Sequence, residues 1–160
     1  MLSQTTEYAL RVVVYLASLG GAPATNAQTA EATRIPAGYL AKVLLNLSRG
    51  GIVRTQRGLH GGSVLARPAE SITVYDVVQA VDPIKRILTC PLGMTSHGVN
   101  LCPLHRRLDQ AIESVEHAFR TSTIAELLAD PAPSKPLGVV PTRPATGLVP
   151  LKVLEQSGSP

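Results

Sequence analysis

Tryptophan is absent, phenylalanine occurs once and tyrosine four times, so aromatic residues make up only 3% of the 160-residue chain. With 44% hydrophobic residues the chain can still build a core, but it must be aliphatic, from Leu, Val, Ile and Ala. The same scarcity leaves no stacking platform for single-stranded nucleic acid. Cysteine is limited to Cys90 and Cys102, which argues against a structural disulfide in a reducing compartment and leaves free thiols or metal ligands. Long apolar runs are also missing: residues 12–17 are too few to span a bilayer, and the first eight residues lack the basic start and apolar stretch of a signal peptide. A cytoplasmic location with no membrane partner is therefore expected. There is no phosphate-binding glycine motif, no nucleophile elbow and no pair of carboxylates with a plausible pocket, which argues against an enzyme.

Acidic residues are scarce in one half. Residues 1–68 hold seven Lys or Arg against only Glu7 and Glu31, a net +5, whereas residues 69–160 hold eight against nine acids, a net −1. The positive field thus sits on the N-terminal half, where it can attract phosphate.

What fills that half is a run of local signals. Thr25 and Gln28 stand at capping-box spacing, predicting a helix from about Asn26 to Thr33. Pro36 suits the first turn of a new helix and disfavours helical geometry at Ile35, so a helix-turn-helix corner falls between them. In the second helix Leu40, Val43, Leu44 and Leu47 follow the i, i+3, i+4, i+7 rule, leaving Tyr39, Lys42, Asn46 and Arg49 on a polar, basic stripe. Residues 52–66 then read as two strands around an Arg-Gly-x-x-Gly-Gly tip. A helix-turn-helix followed by such a hairpin is a winged helix, a form that places a helix in the major groove of duplex DNA. Gly38, Tyr39, Ala41 and Lys42 near the start of that helix are the candidates for base or phosphate contact, with Arg49 at its end. In the wing the candidates are Arg57, Gly58, His60 and Gly61, where glycine permits close approach and a narrow minor groove attracts the arginine.

A helix over residues 5–19 precedes this unit, stopped by Gly20-Gly21; it is apolar on most of its circumference, which implies contact with its own core and with another subunit. After the wing, Thr73 and Asp76 form a second capping box ahead of Val74, Val77, Val78 and Val81. Residues 83–102 lack a period and contain both cysteines; so long a loop in a compact domain points to function or disorder. Leu104, Leu108, Ala111, Val115 and Ala118 then recur at heptad spacing, so a helix over residues 103–120 can pack lengthwise on a twofold mate or against its own chain. A short helix over 123–128, capped by Thr123 and Glu126, follows. Beyond Asp130 seven of the thirteen prolines fall in thirty residues. The expected organisation is mainly α: a winged helix-turn-helix domain over 1–82 with a small two-stranded wing, an effector or cofactor loop over 83–102, a long C-terminal dimerisation helix with a short closing helix over 103–130, and a Pro-rich disordered tail over 131–160.

Read together, residues 7–11 (Glu-Tyr-Ala-Leu-Arg), 35–44 (Ile-Pro-Ala-Gly-Tyr-Leu-Ala-Lys-Val-Leu), 51–58 into Gly61-Gly62, 72–78, and Cys102-Pro103-Leu104-His105 resemble the IscR/NsrR family of bacterial winged-helix regulators, the "Rrf-two" group. The likeness covers residues 1 to about 130. It implies a homodimer binding a pseudo-palindromic operator, usually as a repressor, with a long helix crossing to the other subunit. In that family the loop commonly carries three cysteines that hold an iron–sulfur cluster. Cys90 and Cys102 match the first and third, but Ser96, beside His97, stands at the second. The fourth ligand, variable in the family, is matched by His105 or by Glu7 of the other subunit. The wing departs too, with Ser63 where an aromatic residue is usual.

Thiolates and imidazoles suit iron–sulfur, zinc and copper chemistry. Cys90, Cys102, His105 and Glu7, or alternatively His97, supply four donors for a [2Fe-2S] cluster whose mixed ligands would make it labile, fit for sensing redox state, nitric oxide or iron. Zinc on Cys90, His97, Cys102 and His105 is a second option, although the spacing is atypical for a zinc finger. A thiol switch and a metal-free regulator that senses a small ligand or a partner protein also remain open.

Overall fold

The computed structural model describes residues 2–58, 61–94, 100–134 and 136. Six helices and one hairpin follow in the order α1 (Gln4–Ser18), α2 (Asn26–Thr33), α3 (Ala37–Arg49), β1 (Val53–Gln56), β2 (Gly62–Leu65), a 3-10 turn at Ala69–Ser71, α4 (Val74–Val81), α5 (Pro103–Thr121) and α6 (Ile124–Ala129). The architecture is thus mainly helical with a two-stranded antiparallel wing, in register from Val53 opposite Leu65 to Gln56 opposite Gly62.

Helix α1 is the hub. Val12, Val13, Val14, Tyr15 and Leu16 are all buried in succession, with α2, α3, α4, α6 and β2 packed around them. These five positions are covered within the chain, while Tyr8 and Leu19, on the face expected to meet another subunit, stay partly exposed. Gly20 and Gly21, at φ 59° and 92°, stop the helix in a conformation that side chains other than glycine rarely adopt. Leu40, Val43 and Leu47 of α3, Ile52, Ile72, Val77 of α4 and Ile124 of α6 complete an aliphatic core; each such Leu or Ile contributes about 1.5–3 kcal/mol by leaving water.

Helix α2 has almost no apolar face, and its contact with the core is made by threonine together with the half-buried Ala30. Thr29 and Thr33 are buried, their hydroxyls donating to the backbone carbonyls of Thr25 at 2.9 Å and Thr29 at 2.6 Å, so burial leaves no donor unmatched. The Thr25–Gln28 capping box forms as the spacing predicts. Arg34 then takes a left-handed conformation, φ 55°, ψ 39°, at the corner, and Ile35 turns inward at 3% exposure. Pro36 occupies the capping position of α3, one place earlier than the first helical turn where the sequence set it; its carbonyl accepts the N–H groups of Tyr39 and Leu40.

The wing is tied to the rest by a two-residue bridge. Ser63 N–H donates to the Ala24 carbonyl at 2.8 Å, and Ala24 N–H returns a bond to Ser63 at 3.0 Å. Gly62 is required beside it, since a Cβ there would lie 2.4 Å from the Ala24 oxygen. Ser63, at the position where the resemblance implies an aromatic side chain, is 4% exposed beneath this bridge.

Helix α5 is unlike the others in burying no residue. Its heptad positions Leu104, Leu108, Ala111, Val115 and Ala118 are all exposed, while Ile112 and Phe119 are half-buried. Of the two expected fates for this stripe, packing against the same chain is not what the described residues show. A second capping box, Thr73 with Asp76, starts α4, and a third, Thr123 with Glu126, starts α6. The two starts are joined by hydrogen bonds from Val74 N–H to the Ser122 carbonyl and from Ile124 N–H to the Ile72 carbonyl, both 2.9 Å. Residues 83–94 carry no helix or strand. The tail expected to be disordered lies outside the described residues except for 131–134 and 136.

Replacing Gly62 by alanine is expected to destabilise the protein by about 1–3 kcal/mol, the usual cost of overpacking. The measurement is a denaturant midpoint at unchanged slope; an unshifted midpoint would show that the bridge to Ala24 gives way freely.

Candidate nucleic-acid interface and sensor loop

Helix α3 has two faces of opposite character. Leu40, Val43 and Leu47 are at most 1% exposed, whereas Gly38, Tyr39, Ala41, Lys42 and Arg49 are open to solvent. A Cβ added at Gly38 would meet nothing within 4 Å, so the start of the helix is clear for an approaching surface. Tyr39, 58% exposed, is braced from the side: its ring meets the edge of Tyr8 of α1 at 6.2 Å between centroids and 71° between planes. Arg11 lies over the Tyr8 ring at 5.8 Å, pairs with Glu7 and donates to the Thr33 carbonyl at 3.4 Å. That bond serves the C-terminal end of α2, where a cation is favoured. The sequence singled out Tyr39 but not its support by Tyr8 and Arg11, since the contact joins residues more than twenty positions apart.

In the wing, Arg57 and Gly58 are exposed, and Gly58 adopts φ 117°, which needs glycine. Gly61 serves the close backbone approach expected of it. Its N–H closes the turn on the Gly58 carbonyl at 2.9 Å, and a Cβ there would lie 2.5 Å from the Gln56 oxygen, so it is required by crowding. His60 lies outside the described residues. The fold therefore holds the outward face of α3 and the arginine-bearing hairpin on one unit, joined through Gly51 at φ 68° and the short strand pair.

The second candidate site is the loop leading to α5. Cys102 sits at the capping position of α5, and its sulfur lies 3.4 Å from Nδ1 of His105 one turn on. Cys90 is half-buried where Gly93 N–H closes a turn on the Cys90 carbonyl at 3.0 Å. Glu7, the alternative ligand on α1, is paired with Arg11 in the same chain. His97 and Ser96 lie outside the described residues. Among the described residues no three of the donor side chains come together to hold a metal ion. Within the set Cys90, Cys102, His105 and Glu7, Cys102 and His105 come together because they share a helical turn. The donors are of the right chemistry for iron or zinc, and among the described residues they do not gather into a complete site.

Charge around this loop is strongly organised. Arg86 beside Asp109 holds the Asp109 carboxyl below the usual carboxylate range, helped by the Ile87 N–H, although partial burial opposes it. Tyr75 on α4 is pushed up by burial and by its bond to Glu116, against the opposing charge of Arg120. No helix among the described residues is long and apolar enough to cross a membrane.

A family model described as "Rrf2: Iron-dependent Transcriptional regulator" matches residues 2–130. Among solved structures, CymR, the global cysteine regulator of B. subtilis, superposes with a TM-score of 0.67 at 22% identity, covering 81% of this chain and 96% of that one. T. potens IscR gives 0.67 at 22% identity, covering 82% and 88%. Staphylococcus aureus CymR gives 0.62 at 23%, covering 78% and 95%. These likenesses establish the winged-helix fold, and the family match, which spans everything from α1 to α6, establishes kinship: the chain belongs to the Rrf2 family of transcriptional regulators, which are not enzymes.

Proposed function

We propose that the protein is a homodimeric, sequence-specific DNA-binding regulator that represses by occupying a pseudo-palindromic operator in double-stranded DNA. The observation that carries this reading is the division of α3 into a fully buried aliphatic face and an open polar face bearing Tyr39 and Lys42, with Arg57 of the wing on the same rigid unit. The net +5 of residues 1–68 adds the field that phosphate binding needs. Tyr39, Ala41 and Lys42 read or position the major groove, and Arg57 with Gly58, His60 and Gly61 follows the backbone or minor groove beside it. Arg49, at the far end of α3, neutralises phosphate.

Dimerisation is supported by the uncovered stripe of α5, which at heptad spacing pairs with a second copy of itself. Two recognition helices must then stand about 34–36 Å apart, one DNA turn, so any rearrangement at α5 alters operator fit.

For the effector, the iron named in the family description and the Cys102–His105 pair support a labile [2Fe-2S] cluster. Cys90, Cys102 and His105 would hold it, with Glu7 of a second copy or His97 as the remaining donor. Bound there, a cluster would supply sensitivity to redox state, nitric oxide or iron. The second reading, a metal-free regulator answering to a small ligand or partner protein, is favoured by the absence, among the described residues, of three gathered donors.

Three measurements test these statements. Arg57→Ala is expected to weaken operator binding and lower the salt slope by about 1 while leaving the fold intact; unchanged affinity removes the wing from the interface. Leu108→Asp is expected to yield monomers with weakened operator binding, and a stable, DNA-competent dimer would refute the α5 seam. Protein purified without oxygen is expected to be coloured and to carry iron and sulfide in equal amounts. Colourless protein that binds the operator fully would transfer the effector role to the metal-free reading.

A further inference from the structure

Between α4 and the loop cysteines the chain passes Arg86, whose guanidinium grips Asp109 of α5 through two parallel bonds: Nε to Oδ1 at 2.7 Å and Nη2 to Oδ2 at 2.6 Å. The same Oδ1 accepts the Ile87 backbone N–H at 2.9 Å. One carboxylate therefore holds both the side chain and the main chain of the loop. Nη1 of Arg86 reaches further along α5, to Glu113 at 3.3 Å and Glu116 at 3.7 Å. Asp109 and Glu116 keep only 14% and 13% of their side-chain surface, so this differs from an ordinary surface ion pair, where water and salt remove most of the attraction.

The position of the pair in the chain gives it meaning. Cys90 follows Ile87 by three residues, while His105 and Cys102 precede Asp109 by one and two helical turns. Asp109 thus ties the Cys90 arm of the loop to the helix that carries the other two donors. On the far side the network continues into the DNA-binding unit. Tyr75 of α4 donates its hydroxyl to Glu116 at 3.0 Å, and the Arg120 guanidinium lies 3.5 Å from the centre of the Tyr75 ring.

We propose that Arg86 and Asp109 are a positioning pair that sets the Cys90 arm against Cys102 and His105, and that passes displacement of this loop through Glu116 and Tyr75 to the winged-helix unit. The proposal rests on the reading of residues 83–102 as the effector loop. Asp109, Glu113 and Glu116 are spaced by four and three, so they line one side of α5. Arg86 thus draws this side of α5 into one network, and releasing it from Asp109 would leave a shielded carboxylate without its cation.

The test uses the full chain and needs no effector. In Asp109→Asn, which keeps size and shape, the alkylation rate of Cys90 is expected to rise about tenfold relative to Cys102, as loss of charge-assisted bonds frees the arm. Affinity for an operator selected by the wild-type protein from a random DNA pool should shift several-fold. Glu113→Gln should change the labelling ratio less than twofold, and Arg86→Lys, which keeps the charge without the fork, should fall between. If Asp109→Asn fails to fold, Arg86→Lys carries the measurement.

Equal acceleration at both cysteines, or none, overturns the pair's positioning role. A change in labelling with no change in operator affinity overturns the transmission. Failure of the underlying effector reading shows separately, as wild-type operator binding that is indifferent to alkylation of both cysteines.

Discussion

The burial of five successive residues of α1 is the constraint on which everything else depends. A helix enclosed on all sides over more than a full turn cannot tilt without disturbing each neighbour. The reading helix, the wing, α4 and α6 are therefore referenced to one rod. With so few aromatic side chains available, the packing is done by valine, leucine and isoleucine, whose restricted rotamers suit a rigid support better than a pliable one. The rigid support in turn lets α3 devote one face entirely to the interior and the other entirely to the outside.

Much of this was legible in the sequence where the cause is local. The capping boxes at Thr25, Thr73 and Thr123 each involve residues three apart, and all three form. The buried stripe of α3 follows from periodicity alone. Features that join distant segments were not legible. Arg34 occupies a left-handed corner that no glycine or asparagine announces. The bridge between Ala24 and Ser63 spans about forty residues, and the reason for Gly62 is seen only when the Ala24 carbonyl arrives beside it. The covering of α1 by five different elements is likewise non-local, since a helical wheel shows where apolar surface lies and not what covers it.

The candidate sites divide along the same line. The outward residues of α3 lie where the pattern put them, because a helix fixes the directions of all its side chains once one face is buried. The cysteine loop has no such rule. Among the described residues, Cys102 and His105, separated by one helical turn, meet. Arg86 escaped notice because its partner Asp109 lies across the loop, and nothing in the composition of residues 83–94 marks one basic residue as different from another.

Tying the wing to the segment before α2 has a mechanical consequence. Ala24 and Ser63 exchange both backbone bonds, so the hairpin is stitched to the helix-turn-helix at its base as well as through β1. The angle between α3 and the hairpin is then fixed at both ends, and neither can be retuned alone. Whatever displaces the hairpin must carry the helix-turn-helix with it, so that the two answer any push as one piece.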